Sequence, residues 1–239
     1  MLMQSRRPAW RAYLLLSRIS NLPTVWSNVI AGAAASGAIA APFALGRLAA
    51  GVSFLYTAGM FLNDVFDRDF DAAHRPDRPI PAGDVGLVAA VAIAAALVAM
   101  GIALIAAQTE YWAPLVWASA LVVAILYYNW RHKRDPLGPL WMGLCRGLVY
   151  CVAASAVAST VSARVLIAAT AMTLYVVVLT QIAKRLGQRA SVVVPLLLAG
   201  ISVVDAVVIV ASGGQMALAL LAVVCGVLTL GFQRLVPGT

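Results

Sequence analysis

Charge is scarce in this chain: Asp, Glu, Lys and Arg make up 11% of it, against about 25% in a soluble domain. With 63% hydrophobic residues and a mean hydropathy of +0.93, too little polar surface remains to cover a water-soluble globule. Cysteine is rare as well. Cys145, Cys151 and Cys225 all lie in apolar segments, with no pair at metal-ligand spacing, which argues against a zinc site or a disulfide framework and for small buried hydrophobes. No Ser/His/Asp or Cys/His arrangement is visible, so no covalent nucleophile is invoked. The net charge of +8 would suit nucleic acid, but the basic residues form no stripe and no nucleic-acid fold signature occurs, so no nucleic-acid partner is expected. No short apolar core with a small-residue cleavage site follows the N-terminal MLMQSRRPAWRAY. Residues 1–22 read as a retained interfacial segment, with Trp10 and Tyr13 on a helix at the membrane surface.

What the chain has in quantity is long apolar runs. A spanning helix needs about 20 mainly apolar residues, because backbone groups in hydrocarbon must be satisfied within their own segment. Eight stretches qualify: 23–43, 46–65, 85–107, 112–130, 137–158, 163–183, 191–211 and 215–233. Pro23, Pro42 and several glycines interrupt the first two. No polar linker separates two cores, so the expectation is an all-α, polytopic transmembrane bundle forming one domain over 1–239. Small-residue runs such as 31–41 and 88–99 let helices approach closely in lipid.

Lys and Arg are retained on the cytoplasmic side of a membrane. With the N-terminus inside, the inner segments carry Arg6, Arg7, Arg11, Arg18, Arg68, Arg75, Arg78, Arg131, Lys133, Arg134, Lys184, Arg185, Arg189 and Arg234. The outer loops carry Arg47 and Arg164 alone, and Arg146 falls within a span. The expected location is a multi-pass protein of a bacterial inner or plasma membrane, with its polar chemistry on the cytoplasmic side.

Six of the nine acidic residues fall in NDVFDRDFDAAHRPDRPIPAGD (63–84), at the inner end of the second span. If the helix continues through Asp71, then Asn63, Asp67 and Asp71 are one turn apart and Asp64 joins that face. Carboxylates so placed repel one another unless a cation sits between them. Mg²⁺ suits oxygen ligands and takes one or two carboxylates plus substrate phosphates. Asp69 points elsewhere, to solvent or to Arg68 or Arg75. His74 is more naturally a loop residue than a ligand of a hard ion. The prolines after Arg78 turn the chain back, which makes Arg78 a candidate diphosphate clamp.

Residues 63–83, NDVFDRDFDAAHRPDRPIPAG, resemble the first aspartate-rich motif of the UbiA superfamily of intramembrane prenyltransferases, NDxxDxxxD followed by RPxPxG. RISNLPTVWSNVIAG (18–32) is similar to that family's first-helix substrate segment, and LYYNWRHKRDPLGPLWMGLCRGL (126–148) to its middle loop, with wording close to an EboC-like bacterial branch. The resemblance implies a helical bundle around a central cavity open to lipid. It implies an isoprenoid diphosphate donor bound through Mg²⁺ and a small, possibly aromatic, acceptor that attacks the allylic carbon, with membrane lipids around both. Carried over by position, Asp64, Asp67 and Asp71 hold the metal, Asn63 supports it, Arg18 and Asn21 line the polar end, and Lys133 or Arg134 contacts phosphate.

The sequence departs from the family pattern in its second half. Where a second carboxylate pair belongs, it reads YVVVLTQIAKRLGQR (175–189), with Thr180, Gln181, Lys184 and Arg185 and no acid. A cation at Lys184 or Arg185 binds diphosphate directly in one reading and is only a positive-inside anchor in the other. Arg146 lies inside the fifth span, where a charge costs at least about 2.5 kcal/mol on insertion, so it faces substrate in a cavity or pairs with an acid such as Asp205. Tyr128 and Asn129, at the inner end of the fourth span, are candidate acceptor contacts. Three activities stay open: prenyl transfer, terpene cyclisation or another polyprenyl-phosphate reaction, and binding of a lipid diphosphate without turnover.

Overall fold

The computed structural model describes residues 8–38, 40–107, 109–131, 133, 135–187 and 190–236. Those residues are helical, with no strand among them. A short α1 (Ala9–Ser17) leads through a 3-10 turn (Ile19–Asn21) into α2 (Leu22–Ala35). Then follow α3 (Pro42–Phe66), α4 (Arg68–His74), α5 (Leu87–Ala106), α6 (Ala113–Arg131), α7 (Gly138–Ala158), α8 (Ala163–Arg185), α9 (Ala190–Ala211) and α10 (Met216–Gln233).

Seven of these helices, α3 and α5 to α10, are long and apolar enough to cross a membrane. From α5 onward their ends fall within two residues of the expected spans, because uninterrupted apolar length alone defines them. The expected first span, 23–43, is where the chain differs. Its helix stops at Ala35, Gly37 turns the backbone with φ +76, and Pro42 opens α3 at its first position. Proline fits there because the first helical N–H has no intrahelical acceptor. The expected first span is therefore a helix of 14 residues, about 21 Å long. All of α2 is buried except Leu22, Trp26 and Ala34. It packs against α3, α7, α9 and α10, so its partners are protein and not lipid.

Close approach around α2 and α7 rests on small residues. A Cβ on Gly32 would stand 2.6 Å from the Tyr150 Cα, and Cβ atoms on Gly143 and Gly147 would stand 2.5 Å from Thr173 atoms. Gly143 and Gly147 make a GxxxG face on α7 that lets α8 lie directly on its backbone. The cysteines are free, with Cys151 and Cys225 buried, as expected of small apolar side chains. At the end of the bundle that carries the acidic segment, Ala12 and Leu16 of α1, Phe61 of α3, Val85, and Ala90 and Ala94 of α5 form one apolar cluster. Tyr13 stacks near Phe61, with ring centroids 6.4 Å apart. This cluster braces α1 and the turn before α5 around the end of α3.

Candidate active site

The acidic segment is held by backbone hydrogen bonds that run through the junction of α3 and α4. Asp67 N donates to Asn63 O (2.9 Å), Asp71 N to Asp67 O (2.8 Å) and Arg75 N to Asp71 O (2.7 Å). The one-turn spacing of Asn63, Asp67 and Asp71 thus survives although α3 formally ends at Phe66. Asp64 and Asp71 are each only 3% exposed, whereas Asp69 and His74 face solvent. Asp69 pairs with Arg68 at 3.1 Å. His74 stacks on Phe70 at a centroid separation of 4.2 Å.

Cations from three parts of the chain meet this helix. Arg18 Nη2 lies 3.5 Å from one Asp64 oxygen and donates to Asn63 Oδ1 at 3.1 Å; Arg78 Nη1 lies 3.6 Å from the other Asp64 oxygen. Lys133 Nζ lies 2.8 Å from Asp67 Oδ1 and 3.7 Å from the centroid of the Phe70 ring. Asp71 makes no ion pair with a described residue.

Local backbone chemistry explains how the arginines arrive. Arg18 occupies the left-handed region (φ 44, ψ 43) between α1 and the 3-10 turn, a conformation that costs a non-glycine residue on the order of 1 kcal/mol. Arg78 opens a compact turn in which Ala82 N donates to Arg78 O and both Asp84 N and Val85 N donate to Pro79 O. Gly83, at φ +76, closes it.

The remaining predicted residues divide. Asn63 Nδ2 donates to Asn129 Oδ1 (3.2 Å) and Asn129 Nδ2 to Gly59 O (3.1 Å), so Asn129 joins the acidic end of α3. Asn21 is buried and accepts from Gln233 Nε2 at 2.9 Å, which ties the end of α10 to the segment after Arg18. The Ser20 hydroxyl beside it is buried without a hydrogen-bond partner among the described residues. Tyr128 OH reaches the Met142 sulfur at 3.9 Å, and Thr180 reaches the same sulfur at 3.6 Å while donating back to Val176 O. Gln181, Lys184 and Arg185 are exposed on the end of α8, and the two cations form no ion pair with a described acid. Arg134 lies outside the described residues. Among the described residues no group of three His, Cys, Asp or Glu side chains closes on a metal position.

Deeper in the bundle lies a second polar cluster that sequence reading reached only at Arg146 and Asp205. Asp205 is fully buried and accepts hydrogen bonds from Ser27 Oγ (2.6 Å), Asn28 Nδ2 (2.9 Å to each oxygen) and Tyr150 OH. Arg146 Nη1 donates to Asn28 Oδ1 at 2.9 Å. The available signal was the spacing of Ser20, Asn21, Thr24, Ser27 and Asn28, which puts polar side chains on neighbouring faces of a helix that would otherwise be apolar. An apolar groove of about 410 Å³, lined by Phe66, Val123, Leu126, Tyr127 and Trp130, runs between α3 and α6 and holds no charged residue.

Comparison with known proteins places this arrangement. The chain is 36% identical over 143 residues to a digeranylgeranylglyceryl phosphate synthase of Methanoculleus marisnigri, covering 58% of this chain and 49% of that protein. It is 37% identical over 128 residues to the protein of that name from Ignicoccus hospitalis, covering 54% and 40%. The matches thus span about half the length of these curated relatives or less. Both are archaeal, so the expectation of a bacterial membrane finds no support in them. A UbiA homologue from Aeropyrum pernix K1 has the same fold, with a TM-score of 0.61 at 21% identity over 89% of this chain and 88% of the other. Another, from Archaeoglobus fulgidus, gives 0.60 at 16% identity over 94% and 86%. The UbiA prenyltransferase family pattern matches residues 21–237, nearly the whole bundle including the acidic segment, and the chain belongs to that family.

Proposed function

We propose that the protein is an intramembrane prenyltransferase that ionises an isoprenoid diphosphate and passes the prenyl group to a small acceptor. The observation that carries this reading is the end of α3, where buried Asp64 is flanked by Arg18 and Arg78 and no cation among the described residues pairs with buried Asp71. An anion of several oxygens and a divalent ion complement such a mixture of unlike charges. The relatives named digeranylgeranylglyceryl phosphate synthase support the same class of chemistry.

The donor set fits Mg²⁺ in kind, since Asp64, Asp67, Asp71 and Asn63 supply oxygen alone. A buried carboxylate without a partner is costly, and a cation beside Asp71 removes that cost. When bound, the ion would neutralise charge developing on the leaving diphosphate. Arg18 and Arg78 then orient the diphosphate by charge-assisted hydrogen bonds, and Lys133 offers a further cation on the same side. Asn63 and Asn129 hold the acidic helix against α6. The apolar helices exclude water from the allylic cation. With the N-terminus inside, this headgroup site faces the cytoplasm and the prenyl tail lies among the spans.

Purified protein incubated with Mg²⁺ and geranyl, farnesyl or geranylgeranyl diphosphate tests the reading. Diphosphate release that depends on an added acceptor is expected. Release without acceptor would instead mark a cyclase, and binding with no release would mark a carrier.

A further inference from the structure

Arg146 has a surrounding that a structural counter-ion would not need. Asp205 already accepts from three neutral donors, Ser27, Asn28 and Tyr150, and Ser202 Oγ stands 2.9 Å from Ser27 Oγ behind them. Arg146 does not touch the carboxylate. It donates one N–H to Asn28 Oδ1 and lies over the Tyr56 ring, 5.5 Å from its centroid. A guanidinium carries five N–H donors, and no described residue accepts the others. The side chain is half-buried, and none of its nitrogens is a sealed donor without a partner, so the guanidinium is not walled off.

Asn28 reads as the coupling element. Its Nδ2 must face Asp205, which only accepts, so its Oδ1 must face Arg146, which only donates. The carboxylate therefore sets the amide, and the amide sets the guanidinium. Tyr56 and Asp64 are two turns apart on α3, so Arg146 stands about 12 Å farther into the bundle than the aspartate end. A cation there is badly placed to bind a prenyl tail and well placed to bind an oxyanion.

We propose that Arg146 anchors an anionic oxygen group, a carboxylate or a phosphate, on the acceptor, and that Asp205, acting through Asn28, is its positioning residue. The inference rests on the prenyl-transfer reading for the word acceptor, but the anion site can be tested without turnover. With Mg²⁺ and inorganic pyrophosphate saturating the aspartate end, benzoate and phenyl phosphate are titrated against their neutral counterparts, benzyl alcohol and phenol. One anionic probe is expected to bind at least tenfold more tightly than its neutral counterpart, and which one does so separates carboxylate from phosphate. Arg146→Met and Asp205→Asn should abolish that preference while leaving farnesyl diphosphate binding within twofold. Should Asp205→Asn not fold, Tyr150→Phe keeps the carboxylate and should narrow the preference threefold or more. Equal binding of charged and neutral probes, or an anion preference that survives Arg146→Met, overturns the site. A preference unmoved by Asp205→Asn, or by Tyr150→Phe where that variant stands in, overturns the positioning role. Failure to bind farnesyl diphosphate counts against the prenyl-transfer reading alone.

Discussion

Asp64 and Asp71 are equally hidden from solvent, yet two arginines flank the first and no cation among the described residues flanks the second. Their substitutions should differ accordingly. Asp71→Asn removes no ion pair among the described residues, so the protein should fold normally, while Mg²⁺-dependent binding of inorganic pyrophosphate, followed calorimetrically, weakens tenfold or more. Asp64→Asn strips Arg18 and Arg78 of their carboxylate, and prenyl transfer should fall by about a hundredfold or more, the scale of losing one preorganised electrostatic group. The cations can be ranked as well. Hydrogen bonds to charged groups contribute about 1.5–3 kcal/mol, and about 1.4 kcal/mol is tenfold in affinity. Arg18→Ala and Arg78→Ala should each weaken farnesyl diphosphate binding about tenfold. Lys184→Ala and Arg185→Ala, exposed at the end of α8, should change it less than twofold; a tenfold loss there would restore their direct contact with diphosphate. The aspartates were legible in the sequence because their spacing has a cause in helix geometry. The pairing of Asp205 was not, because polar spacing along α2 marks a polar face without saying which residue of α7 or α9 meets it.

Helix against helix, the tightest contacts are those in which glycine admits a neighbour's backbone. At Gly143 a methyl group would stand 2.5 Å from the Thr173 carbonyl oxygen, and at Gly32 one would stand 2.6 Å from the Tyr150 Cα. Neither obstacle is a flexible side-chain tip. Gly143→Ala should therefore destabilise the protein by about 1–3 kcal/mol, the usual scale of overpacking, read as a lower unfolding temperature in detergent. Gly46→Ala, on α3 with open space around it, is the control and should leave that temperature nearly unchanged. At this scale the sequence was informative for α5 to α10, whose apolar length sets their ends. It was least informative between 23 and 43, where Pro42 and the left-handed Gly37 divide what hydropathy joins.

Taken whole, the bundle separates its charges by depth. Arg18, Asp64, Arg78 and Lys133 gather at one end, which we propose faces the cytoplasm on the positive-inside rule. A cysteine introduced by Asp77→Cys, in a background with Cys145, Cys151 and Cys225 replaced by serine, should resist a membrane-impermeant maleimide added to intact cells. One introduced by Glu110→Cys should react. The reverse pattern would invert the topology and put the acidic segment outside. Hydropathy joined α2 to the start of α3 at 23–43 because it does not distinguish a helix facing lipid from one enclosed by other helices.

The shortness of α2 bears on how the protein is made. A helix of 14 residues with Thr24, Ser27 and Asn28 along it is a poor substrate for the insertion machinery on its own. Its hydrogen-bonding partners Arg146, Ser202 and Asp205 leave the ribosome long after it does. This segment therefore takes its final place only after much later helices exist, and nascent chains arrested before α9 should leave residues 22–35 open to chemical modification that the finished protein denies.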